Sequence, residues 1–396
     1  MQILVDVRHL QDKQKTGVGE YTTELLRALF EMDHENKYEL FSSGTSLVPT
    51  DFSPVRTDRA DVTKVTRNHV SLPNKLLKLL TFTTNFPRFD RFAKIKPDLV
   101  WFPNLNFVGL GRGLPCPYIL TIHDLSWKIF PEFFSTRMRL WHAMARPDRL
   151  IQNASAIIVP SESTKHDVIH FFKKPSDQVH VIPHGIDPMF RPDFQTSDHG
   201  VRGKYKLPKK FALFVGTLEP RKNILSLIDA IETYRRQSGD DLHLVLVGGW
   251  GWKSAKIRRR LLPTRYTLHA TSSWIHHLGY VPRSDLPALY RAAIVFTWPS
   301  IYEGFGLPVL EAMASGCPVI TSNSSSLPEL TENAAILVNP FRPTEITQAL
   351  EQLLSSPALQ KRLRIAGLDR TKQFSWNKTA QKTLNLFTQS ISIAQL

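Results

Sequence analysis

What most constrains the fold is an alternation of short apolar runs with segments of helical spacing, played through twice. "QILVDV" is an apolar run bounded by polar residues and reads as a buried strand. "GVGEYTTELLRALFEM" follows it with Tyr21, Leu25, Leu26 and Leu29 at helical spacing. "YELFSS", "DLVWFP", "PYILTIHDL", "SAIIVPS" and "QVHVIPHGI" are further strand candidates, several of them separated by helical patterns. The pattern then restarts with strand "FALFVG" and helix "NILSLIDAIETYRRQ", for which Asn223 is the expected N-cap. Strand "LHLVLVGG", helix "SDLPALYRAA", strand "AIVFTWPS", helix "LPVLEAMASG" and strand "PVITSN" complete it. Strands alternating with helices imply parallel sheets covered by helices on both faces. Two such runs predict an α/β chain of two doubly wound domains, and 396 residues is too long for one ordinary core. The join falls in "IPHGIDPMFRPDF", residues 182–194, which holds three prolines and a glycine. The expected division is 1–187, 188–376, and a C-terminal amphipathic segment, 377–396, packing back toward the first domain.

With 42% hydrophobic and 21% charged residues the chain reads as globular and soluble, and no apolar run approaches the roughly 18 residues that span a bilayer. "MQILVDV" lacks the basic start and cleavage site of a signal peptide, and Cys116 and Cys317 make no disulfide framework, so a cytoplasmic protein is expected. The net charge is +15, and most of the excess follows Phe190, with 26 Lys and Arg against 15 Asp and Glu. Such a field suits phosphorylated ligands, anionic lipid headgroups or nucleic acid, and does not choose among them. Residues 64–96 hold eight Lys and Arg against one acid, Asp90, with leucines and phenylalanines interleaved. That composition suits peripheral contact with an anionic membrane, and equally a core helix with a basic outer side.

Open parallel sheets bind ligands beyond the carboxyl ends of their strands, so chemistry is sought there. "LFVGTLEPRKN" ends a strand at Gly216 and puts Arg221 and Lys222 at the mouth of a helix. Two cations there oppose the helix dipole unless an anion offsets them, and a diphosphate would do so; a solvated basic turn is the alternative. "YEGFGLPVLEAMASGCPV", residues 302–319, places Glu303 in a loop and Glu311 one turn into the following helix, with Pro308 suited to the first helical position. The amides of Gly306, Leu307 and Val309 are expected to face the ligand. The two carboxylates fit the hydroxyls of two separate sugars of one ligand, or else are ordinary acids favoured near a helix start. "TIHDLSW" sets His123 and Asp124 at a strand end, where a histidine either meets the reacting sugar or is buried for structure. "KTGVGEYT" opens a helix with Gly17 and Gly19, but Thr22 stands where a dinucleotide fingerprint has its third glycine. The sequence contains no Asp-x-Asp and no zinc-like His and Cys spacing, so protein cations are expected to neutralise a diphosphate and no metal is required.

Phe214 to Asn223 as "FVGTLEPRKN", His184-Gly185-Ile186-Asp187, Leu278-Gly279-Tyr280-Val281, Glu303-x7-Glu311, Thr16-Gly17-Val18-Gly19 and His123-Asp124 occur together in this chain. In combination they resemble the retaining nucleotide-sugar glycosyltransferases of family four, and the resemblance covers nearly the whole chain. It implies the GT-B fold, two facing Rossmann-like domains with a cleft between them. It further implies metal-independent transfer of a hexose from a nucleoside-diphosphate sugar, with no cofactor and with anomeric configuration kept. Carried onto this sequence, Arg221 and Lys222 clamp the diphosphate and Glu311 binds the ribose. Glu303, with the amides of Phe305, Gly306 and Leu307, holds the donor sugar. Val281 lies beside the base, His123 lies near the reacting sugar, Gly216 ends the donor strand, and Gly17 and Gly19 approach phosphate or acceptor. "TGVGEYT", "TIHDL", "PSESTK" and "SNSSSLPEL" are similar to bacterial mannosyltransferases that use GDP-mannose, which implies a growing polysaccharide or lipid-linked glycan as acceptor. The competing readings are the same fold using a UDP- or ADP-sugar, and a nucleotide-sugar epimerase or hydrolase. A nucleic-acid binder built on "KSAKIRRRLLPTRY", residues 253–266, ranks last, because it leaves Glu303 and Glu311 unexplained.

Overall fold

The computed structural model describes residues 1–11, 17–44, 64–193, 196–261 and 274–394. Thr16, Phe194 and residues 262–266 of the basic cluster lie outside the described residues. In the first sheet are β1 (Gln2–Asp6), β2 (Lys37–Ser43), β3 (Val65–Val70), β4 (Leu99–Phe102), β5 (Tyr118–Thr121), β6 (Ala156–Val159) and β7 (Val179–Val181). Their order is β3-β2-β1-β4-β5-β6-β7, with every pairing parallel. The second sheet holds β8 (Phe211–Val215), β9 (His243–Val247), β10 (Ile275–Gly279), β11 (Val295–Trp298), β12 (Val319–Ser322) and β13 (Ala335–Val338). Its order is β10-β9-β8-β11-β12-β13, again all parallel.

The central strands are predominantly apolar because helices cover both of their faces: β4, β5, β6, β8 and β11 are buried at every residue, with Thr121 and Thr297 the polar exceptions among them. Of the four edge strands described, β3 ("VTRNHV") and β10 ("IHHLG") are polar and partly exposed, so their sequences carry no strand pattern, while β13 ("AILV") is apolar and is not among the strands expected from sequence either. Strand order reverses at β1, flanked by β2 and β4, and at β8, flanked by β9 and β11. A doubly wound sheet opens a crevice at such a reversal, because the crossover helices leave to opposite faces. The loops after β1 and β4, and those after β8 and β11, are therefore where the ligand-binding residues of each sheet are expected.

The chain divides into two compact units, the first made of Met1–Leu125, Thr136–Gly185 and Ser375–Leu396, the second of Ser126–Ser135 and Ile186–Phe374. The C-terminal helix Trp376–Ala394 packs on the helix Gly17–Met32, and Trp376, Ala380, Leu386 and Phe387 enter the first unit's core. Ser126–Ser135 differs from the sequence-based division, which kept it in the first domain. It groups with the second unit because Phe134 stacks on Trp252 at 5.6 Å and Trp252 Nε1 donates to the Phe133 carbonyl at 2.8 Å. The ring of Phe130 also lies 5.9 Å from that of Tyr302.

Candidate active site

The loops leaving β8 and β11 meet across the second sheet's reversal point. The Ile301 amide donates to the Arg221 carbonyl at 2.9 Å, and Arg221 Nη1 donates to the Tyr302 carbonyl at 2.7 Å. This interlock brings three charged side chains from distant sequence together. Arg221 Nη1 lies 3.0 Å from Glu303 Oε2 and Lys222 Nζ lies 2.5 Å from Glu303 Oε1. Glu219 completes the group, its Oε1 lying 2.9 Å from Arg221 Nη2. Lys222 Nζ also sits 4.6 Å from the centre of the Trp298 ring, with which the core residues Phe214 and Phe296 each stack. All four charged side chains are nearly buried, and their formal charges cancel.

Arg221 and Lys222, at the mouth of a helix, need an anion to offset them. In this structure Glu303 fills that role, and Arg221 and Lys222 occupy a short 3-10 turn, Pro220–Lys222, just before the helix Ile224–Ser238. Asn223 stands at the N-cap position but in the left-handed conformation, and its side chain caps no amide. Its Nδ2 donates to the Pro340 carbonyl at 2.6 Å and its Oδ1 accepts from Ser226 Oγ at 2.7 Å.

Burial alone would raise the Glu303 carboxyl, but the charges of Arg221 and Lys222 outweigh it and hold the group at about 2. Burial lowers the Lys222 ammonium, with the Arg221 charge acting in the same direction, and burial raises the Glu219 carboxyl against Arg221 and Lys222. The folded value for Glu303 lies below the ordinary 4.5, so the ionised form favours the folded state. That contribution is present above pH 4.5 and is lost as pH falls through about 2. Glu303→Gln is therefore expected to flatten the acid limb of the stability curve, by on the order of 3 kcal/mol across that window. Urea unfolding midpoints taken at several pH values check this; a variant whose midpoint declines as steeply as the parent's would refute it.

A second cluster surrounds Glu311, in the helix Leu307–Ala314. Its Oε1 accepts from Arg283 Nη1 at 3.2 Å and its Oε2 from the Tyr290 hydroxyl at 2.9 Å. Arg283 also lies 3.6 Å from Asp187 Oδ2, and its guanidinium sits 5.1 Å from the Phe190 ring centre. A carboxylate offers about four acceptor positions, and the Arg283 and Tyr290 contacts take one on each oxygen. Val281, two residues before Arg283, buries its side chain in the core.

Three serines fix the loop between these carboxylates. Ser325 Oγ accepts from the Glu303 amide at 2.9 Å, Ser326 Oγ donates to the carbonyls of Glu303 and Phe305 at 3.0 and 2.8 Å, and Ser324 Oγ donates to that of Ile301 at 2.9 Å. Phe305 packs edge-on to Phe374. Gly306 has φ +114°, and a Cβ there would meet Leu327 at 2.9 Å and Leu330 at 3.0 Å, so the helix start requires glycine. Pro308 follows Leu307 within the first turn. The Val309 amide departs from expectation: it donates to the Gly306 carbonyl at 3.0 Å rather than to a ligand, because the helix has already begun. Gly216 lies against Trp298 and against Gly248, where a Cβ would stand 2.1 Å from the Gly216 carbonyl oxygen. The loops after β8 and β9 thus pass backbone to backbone.

In the first unit, Gly17 opens the helix Gly17–Met32 and Gly19 is buried within its first turn. His123 follows β5, with Nε2 2.8 Å from the Pro103 carbonyl oxygen. A carbonyl only accepts, so Nε2 carries the proton and Nδ1 is an acceptor. Burial lowers the His123 imidazole, with the Pro103 contact opposing, which favours the neutral form. The Tyr21 ring lies 4.8 Å from that of His123 and 4.6 Å from that of His184. The crevice of this sheet also holds a buried pair the sequence did not signal. Arg8 Nη2 lies 2.6 Å from Asp6 Oδ2 and donates to the Phe107 carbonyl at 3.0 Å, tying the loop after β1 to that after β4. Glu219, Arg283, Tyr290 and Ser324–Ser326 were likewise given no role from sequence; Glu219 and Arg283 each sit two residues from a residue that was.

Comparison with known proteins places this geometry in a family. The profile described as "Glycosyl transferases group 1" matches residues 200–370 and that described as "Glycosyltransferase Family 4" matches residues 15–190. O-antigen chain mannosyltransferase B of Escherichia coli is 30% identical over 94% of this chain and 96% of its own length. The serotype-specific mannosyltransferase WbdA of Escherichia coli is 26% identical over the whole of this chain and 49% of its own length. Among solved structures, sucrose-phosphate synthase of Thermosynechococcus elongatus superposes with a TM-score of 0.76 at 21% identity, over 99% of each chain. The chain belongs to the family-four glycosyltransferases of the GT-B fold.

Proposed function

We propose that this glycosyltransferase moves mannose from GDP-mannose to a growing polysaccharide or lipid-linked glycan, with retention of configuration and without a metal ion. The observation that carries the reading is the buried group of Arg221, Lys222 and Glu303 at the reversal point of the second sheet. Two cations beside one carboxylate suit a ligand that brings a diphosphate and a sugar together: the cations exchange Glu303 for phosphate oxygens, and the released carboxylate turns to the sugar hydroxyls. Glu311, held by Arg283 and Tyr290, accepts from the ribose, and the Val281 backbone borders the base. Phe305, Gly306 and Leu307 line the donor sugar. His123, neutral with Nδ1 as acceptor, takes a hydrogen bond from a sugar hydroxyl, and Gly17 and Gly19 leave room for phosphate or acceptor.

In the transfer the acceptor oxygen bonds to the anomeric carbon on the face from which the diphosphate departs. The carbon–oxygen bond to the diphosphate breaks, and a leaving phosphate oxygen takes the acceptor's proton. Charge grows on the diphosphate as that bond lengthens, which is where Arg221 and Lys222 act most strongly. The mannosyl reading is supported by the two mannosyltransferase relatives. It is tested by thermal stabilisation with GDP-mannose, UDP-sugars and ADP-sugars in EDTA, followed by transfer assays and assignment of the product anomer. GDP-mannose at about 100 times its Kd is expected to add roughly 2.7 kcal/mol. A larger shift with a UDP- or ADP-sugar changes the donor. Turnover without acceptor makes the enzyme an epimerase or hydrolase, activity lost in EDTA and restored by Mg²⁺ removes the metal-free mechanism, and an inverted anomer removes retention.

A further inference from the structure

The stretch 64–96, basic and apolar in sequence, is three different things in the structure. Val65–Val70 is the edge strand β3, Asn74–Thr84 is a helix, and Phe89–Phe92 is a short 3-10 turn that buries Phe89. Of these three elements only the helix turns leucines outward, and Phe86 and Ile95, in the connections that follow it, are exposed as well. Leu77 and Thr81 face the first unit's interior, while Leu76, Leu79 and Leu80 are 44%, 55% and 36% exposed. Those three lie at i, i+3 and i+4, one stripe of a helix surface, so leucine occupies the side that water should favour for polar residues.

A second helix of the same unit, Thr136–Met144, also exposes a leucine. None of its residues is fully buried, and Leu140 is 59% exposed. The two helices are neighbours: Lys78 Nζ lies 5.8 Å from the Trp141 ring centre, and the Arg146 guanidinium lies 5.5 Å from that of Phe82. Lys75, Arg137, Arg139 and Arg146 are exposed beside the leucines, and no acidic residue occurs in 71–89 or in 136–147. No described helix is long and apolar enough to cross a membrane.

We propose that the exposed faces of the helices Asn74–Thr84 and Thr136–Met144 together dock the protein on an anionic lipid surface. Leu76, Leu79, Leu80 and Leu140 enter the boundary between headgroups and acyl chains, and the surrounding cations meet the lipid phosphates. Charge complementarity selects this occupant: Lys75, Arg137, Arg139 and Arg146 are exposed beside the leucines in two segments whose sequences contain no acidic residue, as a negative plane requires. The docking face is independent of the sugar donor; only its use, presenting a lipid-linked acceptor, rests on the function proposed above.

Flotation with phosphatidylcholine vesicles, with and without phosphatidylglycerol, tests it on the full chain. Binding is expected on the anionic vesicles alone and is expected to weaken as salt is raised. Lys75→Glu, Arg137→Glu and Arg139→Glu should each weaken binding by about fivefold. Leu79→Asn with Leu140→Asn should weaken it by at least about tenfold even at low salt. Equal partition onto both vesicle types, or retention by the double leucine variant, overturns the proposal. So does self-association in sedimentation that the same leucine changes abolish, which would make the face a contact with a second copy. Transfer from the donor to a water-soluble glycan, measured without vesicles, should be unchanged in all these variants. Its absence in the parent protein while vesicle binding persists would count against the enzymatic reading and leave the docking face standing.

Discussion

Glu303→Gln is expected to lower kcat by about two to three orders of magnitude while making free nucleoside diphosphate bind more tightly. The two effects have one origin. Glu303 is the internal partner of Arg221 and Lys222, at 3.0 and 2.5 Å. In the proposed reaction an incoming diphosphate would compete with it for the same cations. Glutamine keeps the shape and removes the charge, so the cations are left for the phosphates and the nucleotide gains affinity. In the proposed reaction the sugar, however, would lose the carboxylate that orients it and that stabilises the positive charge developing at its anomeric carbon. Calorimetric titration with GDP together with steady-state kinetics separates the two quantities. A parallel fall in both would mean that Glu303 only holds the loop together, and a covalent glycosyl ester on Glu303, trapped and found by mass spectrometry, would replace orientation with nucleophilic attack.

Joint replacement of Arg221 and Lys222 by alanine is expected to lower kcat/KM for the donor by on the order of a thousandfold or more. Two cations facing a leaving group that gains charge stabilise the transition state more than the bound donor, so kcat should fall as well as KM rise. The single changes should not sum to the double one, because both side chains share Glu303 and removing either leaves the other paired to it. Arg221→Ala also strands Glu219, whose buried Oε1 lies 2.9 Å from the guanidinium, so folded fraction must be measured alongside rate. Lys222→Met keeps the aliphatic stem over Trp298 and isolates the loss of charge from the loss of packing. Unchanged kinetics in the double variant would place the diphosphate elsewhere.

Much of the architecture was legible because central parallel strands are predominantly apolar. "FALFVG" and "AIVFTWPS" announce β8 and β11, and the site follows from their carboxyl ends. The edge strands β3 and β10 were not legible, since a half-exposed strand such as "IHHLG" has neither an apolar run nor a clean alternation. Glu311 with Arg283 and Tyr290 was hidden for a different reason. A buried charge is recognised by its partner, and partners that meet through tertiary folding leave no spacing to read; Arg283 and Glu311 are 28 residues apart in sequence. The demand for an anion near Arg221 and Lys222 was readable from the helix start. Which carboxylate meets that demand in this structure depended on β8 lying beside β11, which only the sheet order supplies.

A site made of buried cations is ordinarily a hazard for the chain that has to fold around it. Here the hazard is contained: Glu219 and Glu303 balance Arg221 and Lys222 charge for charge, and Trp298 supports Lys222 from below. A newly made chain can therefore close its second sheet without a nucleotide to template it. A bound diphosphate would add to the stability of this fold but is not needed to neutralise its buried cations, whose counter-charges the chain carries itself.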